Sequence, residues 1–582
     1  MAELTLKERL RIAALTVDEP GKRSTLVSAL AGPLKRWAMP AMPVDHLLIV
    51  PQDLRTADPS FWHEMEYGQF GLAGSIAVLR GRSPLEIEAP SPAWARELHS
   101  FGWLRNLDAA GSDEARDTGR KLALEWVLRY SRDRGLPAEP AVAARRLISW
   151  LSHANLLLED VDKEPYGAIT ASLGAQLSHL SGCWREAPAG YPRLLALTAL
   201  AFATLSLAGH ERQIKDIEAH LVSEIAWQIL DDGGHVSRHP ELLVELLLDL
   251  LPLSQCFTAR GRTLPKQLGE ALEHMLPMLR YLRLGDGMVA RFNGVGCAPA
   301  AGLATVLAYE DGSLPPLAEA RASGYARLER GASTVIADVG RPPPLAQSAC
   351  AQAGCLSFEM SAGTQLLFVN GGAPGPSHGD WLPVARATAT HNTLTLAEKS
   401  SSRLIAHRKL EALMGAPPLR YPDRADWRCE EADGAMVLEA SHDGYLRRYG
   451  LVHYRRLHLS ADGLRLEGCD RLDGQGTKVR LRADMPFAIH FHLLPSASCA
   501  LGPGVNEAIT TLADGARWRF TAQGAVLYIE ESAYFAESAG PRPAQQIVLR
   551  GATAGETEVN WVAAYMPSEE TAREETAKDV TE

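Results

Sequence analysis

The sequence lacks the features that would mark a nucleic-acid binder, a membrane protein or a disulfide-rich secreted protein. Its 59 lysines and arginines are outnumbered by 70 aspartates and glutamates, and the net charge of -11 predicts no nucleic-acid partner. Apolar runs stay shorter than the roughly 18 residues of a membrane-crossing helix, so no membrane span is predicted. The 8 cysteines form no Cys-x-x-Cys pair, which favours buried free thiols and a reducing compartment.

The amino-terminal residues Met1–Arg9 are charged and contain no apolar signal-peptide core. We therefore expect a cytoplasmic protein, or a periplasmic one if an amino-terminal signal was removed. The acidic balance fits poorly with an anionic polymer as substrate, although a local basic cleft could still attract one because it focuses the field. The sequence predicts no particular oligomeric state.

The length of 582 residues is too great for a single core, so two or three domains are expected. Between about residues 92 and 285, apolar residues recur at three- and four-residue spacing. This spacing predicts helices over Asp117–Tyr130, Ala141–Leu158, Ile169–Arg185, Tyr191–Gly209, Glu211–Leu230, Pro240–Ala259 and Leu264–Leu284. Their short connections, which contain Gly, Pro or Asp, favour an antiparallel helical toroid.

The pattern changes near residue 324, where short segments alternate apolar and polar residues. Gln365–Val369 and Asn392–Leu396 are examples, and Asp462-Gly463 has the composition of a tight turn. Such alternation predicts antiparallel strands stacked as a sandwich. The predicted fold class is therefore α+β multidomain, with an amino-terminal (α/α) toroid followed by a carboxyl-terminal antiparallel β-sandwich.

Two polar segments stand out against these patterns. The first, Asp231–Pro240, joins two apolar helices through a Gly-Gly turn and carries two acids, two histidines and an arginine. The second, Arg386–Leu396, lies in the β-rich part and contains the sequence Thr-His-Asn-Thr. Both segments are candidates for a functional site.

The order and spacing of these segments resemble the heparinase II/III family of polysaccharide lyases over most of the chain. The segments that carry the resemblance are Phe101–Arg105, Asp231–Pro240, Arg291–Gly294, Leu356–Phe358, Thr388–Thr393, His453–Arg456 and Asp470. With the composition, it implies a mixed segment over 1–90, a toroid over 91–320, a β-sandwich over 321–566 and a flexible tail over 567–582.

Lyases of this kind cut beside a uronic acid by β-elimination, so the implied partner is an acidic polysaccharide or oligosaccharide. The reaction needs a donor that neutralises the carboxylate, a base that takes the α proton and an acid at the leaving oxygen. In the family, an asparagine or histidine, a tyrosine and another histidine supply these groups.

The chain departs from the family pattern at several of these positions. Leu242 stands where the toroid motif usually has its tyrosine. Gln352 and Gly354 fall in the stretch that resembles the family's His-x-His-x-Asp, and Asn370 stands for an aspartate that often binds metal. Because neutral amides bind zinc weakly, we predict no metal site and no cofactor.

Four residues are the catalytic candidates that remain. His391 would act as base or acid at a strand end, and its alternative role is to support a turn. Arg238 with His235 would hold or neutralise the carboxylate, or Arg238 would pair with a nearby acid and fix the helix start. Tyr445 could replace the missing tyrosine, or pack its ring in a hairpin turn.

Four further residues are candidates for substrate binding. Trp103 could stack on a sugar and Arg105 could clamp it at the toroid mouth, whereas a tryptophan in an apolar helix is more often part of the core. Asn293 belongs to the loop that resembles the exit from the toroid. Asn392 follows His391, and its alternative role is to satisfy local backbone groups.

Three functions follow as hypotheses. The first is a polysaccharide lyase that cleaves a uronate-containing glycan by β-elimination. The second is a catalytically silent heparinase-like protein that binds or helps organise a polysaccharide, which the missing tyrosine and His-x-His-x-Asp set favour. The third is a glycoside hydrolase that uses carboxylates among Asp231, Asp232, Glu241 and Glu245.

Overall fold

The computed structural model describes residues 44–297, 300–309, 314–405, 418–474, 484–553 and 557–567. The chain forms two compact units. Unit 1 runs to Ile229 and adds Val244–Leu276 and the described part of Pro299–Leu314, and unit 2 consists of the remaining segments. The charged start and almost all of the expected tail lie outside the described residues, and the four domain ranges stay a prediction.

Unit 1 is built mainly from helices. Their order along the chain is α1 (Ser60–Glu66), α2 (Pro92–Ser100), α3 (Leu104–Ala110), α4 (Asp113–Tyr130), α5 (Pro140–Ser152), α6 (Ala154–Leu158), α7 (Lys163–Cys183), α8 (Tyr191–Ser206), α9 (Ile214–Gln228), α10 (Pro240–Ala259), α11 (Lys266–Tyr281) and α12 (Ala300–Ala308). Helices α10 and α11 each have residues in both units. Ser91 and Ser112 cap the amino-terminal ends of α2 and α4. Each hydroxyl accepts a hydrogen bond from the backbone N–H of the residue three positions later.

Helix α8 is the centre of unit 1. Its residues from Leu194 to Ser206 are all buried, and it packs against α5, α7 and α9. A helix that is apolar on every face lies inside a core rather than on a surface. The Thr204 hydroxyl on its buried part bonds within the helix, because Oγ1 donates to the Leu200 carbonyl at 2.9 Å.

An aromatic cluster joins α2, α5 and the segment between α2 and α3 to the hairpin of β1 (Gln69–Leu72) and β2 (Ser75–Val78). The Trp103 ring lies 5.5 Å from Phe70 and 4.9 Å from Phe101, measured between ring centroids. Phe101 in turn lies 5.4 Å from Trp150. Buried indoles need an acceptor, and Trp94 donates to the Phe70 carbonyl at 3.1 Å.

Unit 2 is built mainly from antiparallel sheets. Its strands are β3 (Tyr325–Arg330), β4 (Ser333–Asp338), β5 (Phe358–Ala362), β6 (Gln365–Phe368), β7 (Leu394–Leu396), β8 (Arg403–Leu404), β9 (Pro418–Arg420), β10 (Ala425–Ala432), β11 (Ala435–His442), β12 (Leu451–Leu459), β13 (Arg465–Gly474), β14 (Pro486–His492), β15 (Ser498–Leu501), β16 (Glu507–Thr511), β17 (Arg517–Gln523), β18 (Val526–Tyr534), β19 (Arg542–Ala552) and β20 (Thr557–Met566). The largest sheet has the order β10-β11-β12-β13-β20-β17-β16-β15, and two four-stranded sheets have the orders β3-β4-β5-β6 and β18-β19-β14-β7.

The core of unit 2 is centred on Trp561 in β20. Its ring stacks on Phe358 at 5.7 Å and on Phe520 at 5.9 Å, and Phe491 contacts it edge-on at 4.8 Å. Gly468 on the neighbouring strand β13 makes room for this ring, because a Cβ there would lie 2.0 Å from the indole. The sheets therefore meet around one large aromatic side chain.

The predicted α+β fold class is confirmed, because helices make up most of the described chain to Ala308 and antiparallel strands dominate from Tyr325. Helix α10 has the ends predicted for it. The helix predicted over Ala141–Leu158 is instead α5 and α6, since His153 between them has φ -108° and ψ 30°, outside the helical region.

Two composition-based expectations can also be compared with the structure. All 8 cysteines are free, and four of them, Cys183, Cys256, Cys355 and Cys499, are buried. Within the described chain, α10 is the one helix with the length and composition to cross a membrane, and 67% of its apolar window is buried. Core helices of globular proteins have the same composition.

We expect Gly468→Ala to lower the free energy of unfolding by about 3 kcal/mol, because the new methyl group would displace the Trp561 ring from its stacks. Gly379→Ala is the matched control in the same unit. A Cβ at Gly379 meets no atom within 4 Å, so its effect should stay within about 0.5 kcal/mol. Urea unfolding followed by tryptophan fluorescence measures both, and equal stability of the two variants would contradict this account of the core.

Candidate functional site

The first polar segment, Asp231–Pro240, lies within residues 230–243, which belong to unit 2. Arg238 lies in it with a left-handed backbone (φ 56°) and a guanidinium that is almost fully buried. Its nitrogens donate to the carbonyls of Ser323 (2.6 Å), Gly324 (2.9 Å) and Arg341 (3.0 Å), and Nη2 pairs with Asp338 Oδ1 at 2.6 Å. Burial works to lower the pKa of Arg238, but Asp338 outweighs it and holds the guanidinium charged.

Glycines on both sides make this position for Arg238 possible. A Cβ at Gly340 would lie 2.7 Å from the guanidinium carbon, and Gly324 has φ 71° with Gly340 packed against it. The Tyr325 hydroxyl donates to the Arg238 carbonyl, so the main chain of Arg238 is held as well as its side chain. The acid that pairs with Arg238 is therefore Asp338, 100 residues away, rather than one of the neighbouring acids.

His235 is the second candidate in this segment and is 2% exposed. Its Nδ1 lies 2.7 Å from the Ser237 hydroxyl and accepts the Ser237 N–H at 3.1 Å. Burial, with a smaller contribution from His239, lowers the pKa of His235 to about 3. The imidazole is therefore neutral at physiological pH, where it carries no charge to neutralise a carboxylate.

His391, in the second polar segment, is the residue with the strongest case for catalysis from sequence. Its ring is 1% exposed, Nδ1 donates to the Ala387 carbonyl at 2.8 Å, and Nε2 lies 3.2 Å from Gln352 Oε1. Burial lowers the pKa of His391 to about 4. Gly354 lies against the same ring, since a Cβ there would be 2.7 Å from it.

Asn392 bonds to three neighbouring segments and is fully buried. Its N–H donates to Asn370 Oδ1 at 3.0 Å, its Nδ2 donates to the Phe358 carbonyl at 2.8 Å, and its Oδ1 accepts the His492 N–H at 2.6 Å. These bonds satisfy backbone groups at three strand ends. The role of Asn392 in substrate binding stays a prediction.

The two residues that the resemblance sets at metal positions, Gln352 and Asn370, do not fit a zinc ion. Gln352 and Asn370 contribute carboxamides where carboxylate and imidazole ligands would be needed. In the described ranges, no group of three or more histidine, cysteine, aspartate or glutamate side chains could hold a metal ion. Gln352 is used otherwise, because its Nε2 donates to the Ala385 carbonyl at 3.3 Å and its Oε1 faces His391.

Tyr445 and Asn293 are also buried in unit 2. The Tyr445 hydroxyl donates to the Leu394 carbonyl at 2.7 Å, and burial raises the pKa of this phenol. Asn293, with φ 48°, donates through Nδ2 to the Tyr325 hydroxyl at 3.0 Å. The Tyr325 hydroxyl thus links Asn293 to the main chain of Arg238. Tyr445 instead contacts strand β7 through the Leu394 carbonyl.

The two candidates in unit 1 have different surroundings. Trp103 is a core side chain, 2% exposed, whose indole donates to the Leu98 carbonyl at 3.1 Å. The Arg105 side chain is 19% exposed and pairs with Asp53 at 2.9 Å. Asp53 also contacts His153 Nε2 at 3.3 Å, so Arg105 is the end of a polar network that reaches the surface of unit 1.

The sequence reasoning missed a second polar cluster in unit 1, of which it named only Glu245, as a possible hydrolase carboxylate. Asp249 on α10 accepts from Arg55 at 2.7 Å and from Arg145 at 2.7 and 2.8 Å. Arg145 also donates to the Tyr191 hydroxyl at 2.7 Å, and Glu245 accepts from Arg55 at 2.9 Å. The available signal was an acid inside an otherwise apolar run of leucines, because a charge buried there requires partners.

Unit 2 contains a comparable buried ion pair between Arg455 and Asp470, at 2.8 and 3.0 Å. Arg455 also donates to the carbonyls of Leu356 (2.7 Å) and Asn392 (2.6 Å), and Trp561 donates to Asp470 at 2.9 Å. The pair therefore fixes the turn that carries His391. Sequence reasoning gave both residues only as part of a family resemblance.

The low pKa values of the buried histidines make stability depend on pH. The pKa is about 4 for His391 and His239 and about 3 for His235, against about 6.5 when unfolded. The unfolded chain thus binds more protons, and the free energy of unfolding should fall as pH drops from about 6.5 to about 4. His391→Gln should make this fall shallower than in the unaltered chain, because one of these histidines is then gone. Urea unfolding at a series of pH values tests this, and equal slopes would contradict it.

Asp249→Asn should lower the free energy of unfolding by about 3 kcal/mol, because it leaves two largely buried guanidiniums without the carboxylate that they share. Glu245→Gln is the matched control, since its carboxylate is 41% exposed and its loss should cost less than about 1 kcal/mol. Chemical denaturation of both variants at neutral pH decides the point. Similar losses would show that Asp249 does not have the central role assigned to it.

Three comparisons place the chain among known proteins. The family model described as Heparinase II/III-like, C-terminal, matches residues 312–562. FtsZ-localized protein C of Caulobacter vibrioides (strain NA1000 / CB15N) is 30% identical over 513 residues, which is 86% of this chain and 86% of that protein. The crystal structure of heparinase III has a TM-score of 0.69 at 12% identity, covering 94% of this chain and 92% of that one. Heparan sulfate lyase HepC from Pedobacter heparinus has a TM-score of 0.57 at 15% identity, covering 95% and 92%. The chain belongs to the heparinase II/III-like family.

Proposed function

We propose that this chain is a catalytically silent heparinase-like protein that binds or helps organise a polysaccharide and localises with FtsZ in the cytoplasm. The setting of His391 carries the proposal. A general base must come within hydrogen-bond distance of the substrate proton and is most effective with a pKa near the working pH. His391 is 1% exposed, has both ring nitrogens against protein oxygens and has a pKa of about 4.

The other candidates support the same proposal. Arg238 donates to three carbonyls and to Asp338, and the Tyr445 hydroxyl donates to a carbonyl. A guanidinium with these partners would have to give up its ion pair before it could bind a substrate carboxylate. At buried sites such an exchange costs several kcal/mol, roughly 3–5 for a lost partner.

Localisation with FtsZ is proposed from the relative that resembles the chain along most of its length. FtsZ-localized protein C is 30% identical over 86% of both chains. The solved lyase structures cover as much of the chain, but at 12% to 16% identity they share the fold alone. The relative with the greater sequence likeness is therefore the better guide to where this chain acts.

Polysaccharide lyase activity is the alternative, favoured by the fold that the chain shares with heparinase III and heparan sulfate lyase. In that case His391 would be the base or acid and Arg238 with His235 would hold the carboxylate.

One experiment with two readouts separates these functions. Fluorescent fusions of the chain and of FtsZ from the same organism should coincide in living cells, and purified chain should bind purified FtsZ. The same purified chain should give no ultraviolet signal of unsaturated uronate with glycosaminoglycans, alginates or bacterial exopolysaccharides.

His391→Ala is the control for the second readout. A uronate signal that this variant loses would establish the lyase and overturn the silent function. A fusion that spreads evenly through the cell, with no FtsZ binding in solution, would overturn the localisation.

A further inference from the structure

The outward face of the largest sheet in unit 2 carries a cavity that the proposed function does not use. It has a volume of about 510 Å³ and is lined by residues of β10, β11, β12, β13 and β20. That size lies in the range of small-molecule and sugar sites. It is separate from His391 and Arg238, neither of which lines it.

The strand register places the lining side chains in two rows across the sheet. The first row is Asp426, Ser441, Tyr454, Arg471 and Glu558, which are direct partners on successive strands. The second row is Arg428, Glu439, Arg456 and Cys469. The small side chains of Ser441 and Cys469 lie among longer ones, which is why the sheet surface is hollow there.

Two arginines in these rows are poorly neutralised. Glu439 pairs closely with Arg428, at 2.9 Å, so Arg456 contacts the same carboxylate only at 3.7 Å. The Arg471 guanidinium lies over the Tyr454 ring, 4.7 Å from its centroid, and has no ion pair with an acid in the described chain. Arg456 and Arg471 are diagonal neighbours on β12 and β13, a separation of about 7–8 Å between Cα atoms.

We propose that this cavity binds an acidic saccharide, a sugar chain with one carboxylate and several hydroxyls per unit. Arg456 and Arg471 bind the carboxylate, for which the planar guanidinium offers paired donors. Asp426, Glu439 and Glu558 line the same cavity and accept from sugar hydroxyls. Those three acids would repel a ligand with closely spaced negative charges, so an acidic polypeptide fits the cavity less well.

The inference rests on the polysaccharide-binding part of the proposed function and gives it a location. Its test is calorimetric titration of the full chain with oligogalacturonate, with a malto-oligosaccharide of equal length and with poly-glutamate. Oligogalacturonate should bind, and the neutral sugar and the polypeptide should bind at least about tenfold more weakly.

Variants locate the binding. Arg471→Gln should weaken oligogalacturonate binding about tenfold or more, because a charged hydrogen-bonding partner is lost. Cys469→Trp, which fills the hollow without changing a charge, should abolish it. Arg465→Gln is the matched control, since Arg465 lies on the same strand, pairs with Glu467 at 2.6 Å and does not line the cavity. Thermal unfolding checks that each variant folds.

The outcomes separate the cavity from the wider function. If Arg471→Gln and Cys469→Trp leave oligogalacturonate binding unchanged, the cavity is not the binding site, although the chain still binds a polysaccharide. If neither saccharide binds, both the cavity as a saccharide site and the polysaccharide-binding function are wrong. If poly-glutamate binds more tightly than the saccharides and the same variants weaken it, the cavity is a binding site, but its ligand is an acidic polypeptide and not a sugar. Localisation with FtsZ is measured independently of all three.

Discussion

Arg238 brings a buried positive charge into unit 2, and the polar segment around it is shaped by the way that charge is satisfied. A guanidinium removed from water needs a carboxylate and acceptors for its remaining N–H groups. Asp338 supplies the carboxylate, and the carbonyls of Ser323, Gly324 and Arg341 supply the acceptors. The left-handed backbone at Arg238 and the glycines at 324 and 340 follow from this arrangement.

The departures from the family pattern form a consistent set rather than isolated losses. Gln352 faces the His391 ring, Gly354 leaves space for it, and Asn370 accepts the N–H of Asn392. By the resemblance, each of these three residues stands where the family has an ionisable group, and each is buried. Neutral hydrogen-bonded groups are cheaper to bury than charges, which agrees with the burial of Gln352 and Asn370.

Periodicity predicted the helices well, because amphipathic spacing is a local property that tertiary contacts rarely overturn in long helices. It predicted α10 to its ends and missed the break at His153, whose ring contacts Asp108 and Asp53, 45 and 100 residues away. The site was harder. The sequence identified His391 and Arg238 as unusual, but their burial depends on partners 39 and 100 residues away, which no local pattern contains.

The division of the chain into interleaved segments has a consequence for its synthesis. Residues 230–243 belong to unit 2, yet unit 1 sequence precedes and follows them. On the ribosome, Arg238 emerges long before Ser323 and Asp338, with which it forms its bonds 85 and 100 residues later. Unit 1, whose last segment ends at Leu314, is therefore synthesised in full while Arg238 still lacks these partners, and the segment 230–243 has to wait for unit 2.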